Sequence, residues 1–298
     1  MASVAQKSEL PLIVIVGPTA SGKTELAIRI AKEFGGEIIS ADSRAVYKGL
    51  SIGTAKPSKD EQQGVPHWGI DVARPDERFT AADFKEYAVQ KIAEIRARGH
   101  IPLLVGGTGL YIDAVVYDFQ FPQIDNVIEV RSRFMKRTNE ELIEYCNKNN
   151  IKLPYNFHNK RHLVSQILRK GEVQKSGYAP RDNTVIVGIA TEKSTLDERI
   201  KLRAKQIFAS GVIDEAVAAA ATYGWENEAM SGNIYPLIKQ YLTGELTKSE
   251  LQERFAIKDR QLAKRQVTWF KRNEHITWLS LEDAHTYIAR YLENVNNL

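Results

Sequence analysis

The sequence predicts an α/β protein with a P-loop NTPase-like core, a parallel sheet covered by helices, and a small helical insertion. Three observations predict it. Apolar runs at Leu12–Val16, Ile101–Val105 and Thr184–Ile189 alternate with helical patterns. Strands that are apolar on both sides belong to parallel sheets buried between helices. The first run leads through a glycine-bounded loop, GPTASGKT, into a helical segment starting at Glu25, which is the strand, loop and helix context of a phosphate-binding P-loop. Finally, polar helical segments interrupt the alternation between Asp118 and Asp182, after which it resumes.

The loop comprises Gly17, Pro18, Thr19, Ala20, Ser21, Gly22, Lys23 and Thr24. Its glycines let the backbone turn tightly and approach an anion with no Cβ in the way. Successive N–H groups and the positive end of the following helix then face the phosphates. Lys23 adds a full charge, and the Thr24 hydroxyl is placed to ligate Mg²⁺. Taken alone the loop reads as an ATP or GTP site and leaves the phosphate ester undefined.

Glu37–Ala41 reads as a second strand ending at Asp42, and a polar loop follows through Lys56-Pro57. Trp68–Val72 is expected to be a short strand, and Thr80–Arg98 a helix with Phe84, Tyr87, Ala88, Ile92 and Ile95 inward. The strand at Ile101–Val105 turns through Gly106-Gly107-Thr108-Gly109 into another helix. In parallel sheets ligands bind beyond the carboxyl ends of the strands, which brings the P-loop, Asp42 and Thr108 to one edge. Helical segments of the insertion are expected at about Asn126–Arg137, Asn139–Asn149 and His158–Lys170, with Pro122 and Pro154 as breaks. Residues 1–117 and 183–298 form the expected core and 118–182 the insertion. Later helices fall at about Thr195–Ala209, Val212–Tyr223, Tyr235–Leu242 and Lys248–Arg272, before a short strand at Ile276–Leu279 and a closing helix. In the long helix Phe255, Leu262 and Trp269 recur at seven-residue spacing and are expected inward. Arg254, Lys258, Arg265 and Arg272 form a neighbouring basic stripe, either a solvated face or a phosphate contact.

Composition narrows the class. With 298 residues, 43% hydrophobic and 26% charged, the chain is globular and has length for one large domain carrying a smaller one. One cysteine, Cys146, excludes an internal disulfide and a cysteine-based metal cluster. The N-terminus is polar, and no apolar run approaches the roughly 18 residues that span a bilayer; a cytoplasmic protein is expected. Residues 118–182 hold 12 Lys/Arg against 8 Asp/Glu, so the insertion carries the net +4 of the whole chain. Such a segment is either a surface for an anionic partner or a solvated helical face.

Asp42 ends a strand where its carboxylate can face a group held by the P-loop. Residue chemistry leaves three roles open: a water-mediated Mg²⁺ contact, a general base, or a cap of the following turn.

The stretch after Asp42 carries a resemblance. GPTASGKT at 17–24, ADSRAVYKGLSIGTAKP at 41–57, His67 with Ile70-Asp71-Val72, AADF at 81–84, IPLLVGGTGLY at 101–111 and QLAKRQVTWF at 261–270 together resemble the tRNA dimethylallyltransferases, in family order and over most of the chain. The resemblance implies transfer of a dimethylallyl group from dimethylallyl diphosphate to N6 of adenosine 37, beside the anticodon, with Mg²⁺ at Thr24 as cofactor. It implies that Asp42, Lys23 and Thr19 are catalytic: Asp42 takes the proton of the amine, while Thr19 and Lys23 meet the diphosphate. Asp42, Ser43, Arg44, Ala45, Thr108 and Arg131 are the implied contacts to the tRNA anticodon stem-loop, and a monomer is expected. Two stretches depart from the family. Its usual arginine and later basic residue are replaced by Ser231 and Pro236, with Tyr235 retained. In the insertion Phe157-His158-Asn159-Lys160, Leu163 and Gln166 replace the usual polar and arginine residues. Two other readings share the loop: prenyl transfer to free adenine nucleotides, and a small-molecule kinase or an RNA-binding relative without activity.

Overall fold

A computed structural model describes residues 10–121, 127–170 and 179–296. The expected opening at Met1–Glu9, the break at Pro122 and the helix start at Asn126 lie outside the described residues. In chain order the core begins with β1 (Leu12–Val16), α1 (Lys23–Phe34), β2 (Gly36–Ser40), β3 (His67–Trp68), α2 (Ala81–Ala97), β4 (Ile101–Gly106) and α3 (Gly109–Val116). Then come α4 (Val127–Met135), α5 (Asn139–Lys148) and α6 (Lys160–Leu168), followed by β5 (Thr184–Ile189), α7 (Lys193–Ala209) and α8 (Val212–Tyr223). A 3₁₀ turn (Ala229–Ser231), α9 (Tyr235–Leu242), α10 (Lys248–Phe270), β6 (Thr277–Leu279) and α11 (Leu281–Asn296) close the chain.

The six strands form one sheet in the order β3-β2-β4-β1-β5-β6, with each neighbouring pair parallel. Val14 is level with Leu104 on one side and with Ile186 on the other. Alternate side chains of each strand leave from opposite faces, and the core divides accordingly. Val14, Val16, Ile39 and Leu104 pack with Phe84, Tyr111, Tyr235 and Phe255. Ile13, Ile15, Ile38 and Leu103 pack with Leu26 and Ile30 of α1 and Ile288 and Leu292 of α11. Both faces of the sheet are therefore covered, as continuous apolar strands require.

Contacts divide the chain into Met1–Tyr117 with Ala179–Leu298, and Asp118–Tyr178. The return comes ahead of the expected residue 183 because the Arg181 N–H donates to the Val116 carbonyl (2.9 Å) and its Nε to that of Val115 (2.7 Å). The smaller unit has its own apolar cluster of Phe134, Leu142, Cys146, Ile151, Leu163, Val164 and Ile167. A capping box of Thr138 and Glu141 starts α5. Leu163 is fully buried there, so an apolar residue at that position serves the packing of the unit.

Two local expectations change. The strand expected at Trp68–Val72 is only His67–Trp68, because the chain turns at Gly69 with φ +78°. A Cβ there would sit 2.7 Å from the Ser40 carbonyl oxygen. In α10 the buried residues are Leu251, Phe255, Asp259, Ala263 and Phe270, whereas Leu262 and Trp269 are half-buried. A seven-residue repeat drifts around a straight helix by about 20° per repeat, so only Phe255 of the expected three lies at the centre of the interface.

The outer part of the sheet holds a buried carboxylate inside an apolar strand. Glu37 of β2 is 2% exposed and accepts from Arg98 Nε (2.9 Å), Arg98 Nη2 (2.7 Å) and Trp68 Nε1 (2.7 Å), with His100 Nδ1 at 2.7 Å. Burial alone raises its pKa, but the hydrogen bonds from Arg98, His100 and Trp68 outweigh it and hold the carboxyl at about 2. A depressed carboxylate contributes stability that is fully present above the unfolded value near 4.5 and lost as pH falls toward 2. The loss amounts to on the order of 3 kcal/mol. Denaturant titrations at pH 6 and pH 3 are expected to show a smaller acid-induced loss for Glu37→Gln than for the parent chain.

Candidate active site

The carboxyl ends of β1, β2 and β4 lead directly into the P-loop, the Asp42 turn and the Gly106–Gly109 turn. All three border one cavity of about 990 Å³ in the larger unit. The P-loop bends through left-handed residues, Ala20 at φ +62° and Gly22 at φ +91°. Ala20 is a non-glycine residue in a costly region, and such strain persists where surrounding contacts enforce it. Those contacts come from the second half of the chain. The Thr19 N–H donates to Gln266 Oε1 (2.8 Å), its Oγ1 accepts from Arg203, and the Ser21 carbonyl accepts from Arg199 Nη1 (3.4 Å).

Lys23 begins α1 and its Nζ donates to the Pro18 carbonyl (2.8 Å). Burial of the ammonium, and secondly the Arg203 charge, lower its pKa to about 8, against the opposing pull of Asp42. Arg203 Nε is buried with no partner among the described residues, as is Ser21 Oγ. Lys23, Arg199, Arg203 and Arg265 are four of the cationic side chains that line the cavity, and Lys23 stands at the positive end of α1. Asp259 from α10 is the buried carboxylate among them. Burial pushes its pKa up, while Asn233 Nδ2, donating at 2.9 Å, and the Arg203 charge oppose the rise.

Asp42 lines the same cavity. Its Oδ1 accepts the Arg44 N–H (2.8 Å), so it does cap its turn, but its other oxygen accepts no hydrogen bond among the described residues. Thr108 holds this turn in place: its Oγ1 accepts the Ser43 N–H (3.0 Å), and its own N–H donates to the Ala41 carbonyl (3.2 Å). Ser43, Arg44, Ala45 and Thr108 all border the cavity. Arg131 lies on α4 of the smaller unit.

The segment that departs from the family pattern forms part of the wall. Arg44 Nη1 donates to the Glu228 carbonyl (2.8 Å) and Ser231 Oγ (3.1 Å), so a guanidinium does reach position 231, from the turn after β2. Pro236 falls in the first turn of α9, where a helix has no partner for the missing N–H. The buried Tyr235 hydroxyl donates to Glu215 Oε1 (3.0 Å). The same carboxylate accepts the N–H groups of Ser51 (2.6 Å), Ile52 (2.7 Å) and Gly53 (2.9 Å). A Cβ on Gly53 would lie 2.6 Å from that hydroxyl, so a glycine is needed for the loop to close on α9.

The arrangement suits an anion with several negative oxygens beside a carboxylate able to take a proton. Such cavities also suit ATP, so the chemistry of the loop alone does not decide. The family model for IPP transferases matches residues 45–273. The chain belongs to the IPP transferase family. Among its relatives within the family, a tRNA dimethylallyltransferase of Desulforudis audaxviator is 38% identical, with 97% of each chain covered. One from Acetivibrio thermocellus is 36% identical, with 91% of this chain and 92% of that one covered. The crystal structure of a tRNA isopentenylpyrophosphate transferase from Bacillus halodurans superposes with a TM-score of 0.74 at 33% identity, covering 96% of this chain and 98% of that one. This family member is thus a transferase with a P-loop-type core.

Sequence reading passed over Arg199, Arg203, Asp259 and Gln266. Arg199 and Arg203 stand four residues apart, on one side of the helix that follows a strand end, and that spacing could have found them. Gln266 lay inside a recognised block but carried no assigned role.

A lysine with a pKa near 8 has to be protonated to hold an anion. Sulfate, which does not titrate in this range, is expected to bind with affinity falling by up to about tenfold per pH unit above pH 8. Calorimetry should find that dependence absent in Lys23→Met.

Proposed function

We propose that this chain transfers the dimethylallyl group of dimethylallyl diphosphate to N6 of adenosine 37 in tRNA and releases diphosphate. The observation that supports the reading best is the shared cavity. It joins the P-loop to the Asp42 turn, with Lys23, Arg199, Arg203 and Arg265 on the lining.

In this reading the N6 lone pair attacks the first carbon of the prenyl chain. The N–C bond forms as the C–O bond to the diphosphate breaks, and the electron pair of that bond leaves with the diphosphate. Lys23 and the arginines stabilise the growing charge on the leaving group, together with the first N–H groups of α1. Asp42 accepts the proton lost from N6, using the oxygen that is not committed to the Arg44 N–H. An exocyclic amine inside an RNA loop is reachable once its base is splayed out of the stack. Thr108, Ser43, Arg44 and Ala45 then border the base. The smaller unit, with Arg131 on α4 and a surplus of basic residues, is the proposed grip on the anticodon stem.

The residues fit Mg²⁺. Thr24 borders the cavity one residue after Lys23, and its hydroxyl makes no hydrogen bond among the described residues. Among those residues no group of three or more His, Cys, Asp or Glu is placed to hold a metal. Thr24 would therefore be the protein ligand of an ion held otherwise by diphosphate oxygens and water, the usual habit of Mg²⁺. Bound there, the ion supplies charge neutralisation for the departing diphosphate.

The test supplies labelled dimethylallyl diphosphate with an anticodon stem-loop bearing the target adenosine, and with AMP or ATP in parallel. Label is expected in the stem-loop; label entering the free nucleotide instead would overturn the tRNA reading. Asp42→Asn keeps the turn cap and is expected to lower kcat roughly 10²–10⁴-fold. Chelation of divalent ions with EDTA should stop turnover, and added Mg²⁺ should restore it.

A further inference from the structure

Gln266 makes two hydrogen bonds that meet different halves of the cavity. Its Oε1 accepts the N–H of Thr19, in the loop assigned to the diphosphate (2.8 Å). Its Nε2 donates to the carbonyl of Gly107, in the turn that follows β4 (3.1 Å). The next residue, Thr108, fixes the Asp42 turn through the Ser43 N–H (3.0 Å) and the Ala41 carbonyl (3.2 Å). One side chain on α10 thus links the phosphate loop to the turn carrying the carboxylate, through its hydrogen bond to Gly107, the Gly107–Thr108 peptide bond and the hydrogen bonds of Thr108. Space is arranged for it: a Cβ on Gly107 would lie 2.2 Å from Gln266 Nε2. A primary amide suits this position because it offers a donor and an acceptor in fixed relation. A lysine or glutamate would satisfy only one of the two loops.

The Thr19 N–H belongs to the loop that closes on an anion. Filling the loop and holding Gln266 are therefore coupled through one backbone amide, and any adjustment there is felt at Gly107 and Thr108. We infer that Gln266 is a positioning residue that couples occupation of the diphosphate cradle to placement of the Asp42–Thr108 turn, so that the two substrates influence each other's binding. The inference rests on the proposed reading of the cavity as a joint donor and acceptor site.

The experiment measures the affinity of the anticodon stem-loop by fluorescence anisotropy, with and without saturating inorganic diphosphate in magnesium buffer. In the parent chain diphosphate is expected to change stem-loop affinity at least about fivefold, within the usual span of coupling between sites. Two variants break the link from different ends: Gln266→Met removes both hydrogen bonds, and Gly107→Ala displaces the amide. In each the change should shrink to less than about twofold, whatever the stem-loop affinity in the absence of diphosphate. Thr268→Val, on the exposed side of the same helix, should keep the full effect. A parent chain showing no dependence on diphosphate, or a folded variant of either kind retaining it, overturns the inference. If thermal melts show that Gln266→Met does not fold, Gly107→Ala decides alone. Absence of prenyl transfer by the parent chain would count against the proposed function; transfer together with undiminished coupling in the variants would count against Gln266 only.

Discussion

Lys23 is held buried and beside the Arg203 guanidinium, both of which disfavour its charge, and much of the cavity follows from that placement. Two cations are not brought together in a partly dry site without stabilisation from elsewhere. Here it comes from a scaffold whose own packing is satisfied independently. The sheet places β1 between β4 and β5, every residue of β1 is at most 2% exposed, and both its faces are packed. The scaffold can then carry unfavourable electrostatics at its carboxyl edge. Asp42 and Asp259 moderate the opposition without removing it. The remaining imbalance is a standing preference for a multiply charged anion, and the cavity is organised to receive one.

The same edge separates two tasks. Residues from β1 and α7 converge on the phosphate loop, while residues from β2 and β4 form the turn with the carboxylate. Neither set is held only by its own neighbours. Glu215 of α8 gathers three successive amides of the 51–53 loop, and Gln266 of α10 joins the two turns. Helices on one face of the sheet thereby position loops at its edge. This explains why Gln266 and Trp269 of α10 bond to groups at Thr19, Gly107 and Asp113, far earlier in the chain.

Much of this was legible in the sequence where chemistry and local geometry coincide. GPTASGKT specifies backbone shape and charge within eight adjacent residues, and β5 was bounded correctly because an apolar run with flanking polar residues has one economical fold. Asp42 and Thr108 were placed at the site by the rule that ligands sit beyond strand ends. Arg203 and Asp259 were not, since their meaning arises from helices that cross far from them in sequence, and no local pattern records such a crossing. The basic stripe on α10 drew attention to Arg265 but hid Asp259 beside it. Trp269 does pack against the core, as its spacing suggested, but Leu262 was misjudged for a related reason: spacing gave its side of the helix, while the depth of burial depended on the neighbours. Ser231 looked like a lost basic group, yet Arg44 reaches it from the turn after β2.

The hydrogen bond between Thr19 and Gln266 spans 247 positions of the chain. At synthesis rates of about 5–20 residues per second, the phosphate loop emerges roughly 12–50 s before the side chain that completes it. During that interval the strand and helix around the loop can form, but its final support, the arginines of α7 and the amide of α10, is still unmade. A P-loop assembled early could capture abundant nucleotides on the ribosome. Here the parts that shape it arrive late, so the nascent chain acquires its binding site only after α10 has been made.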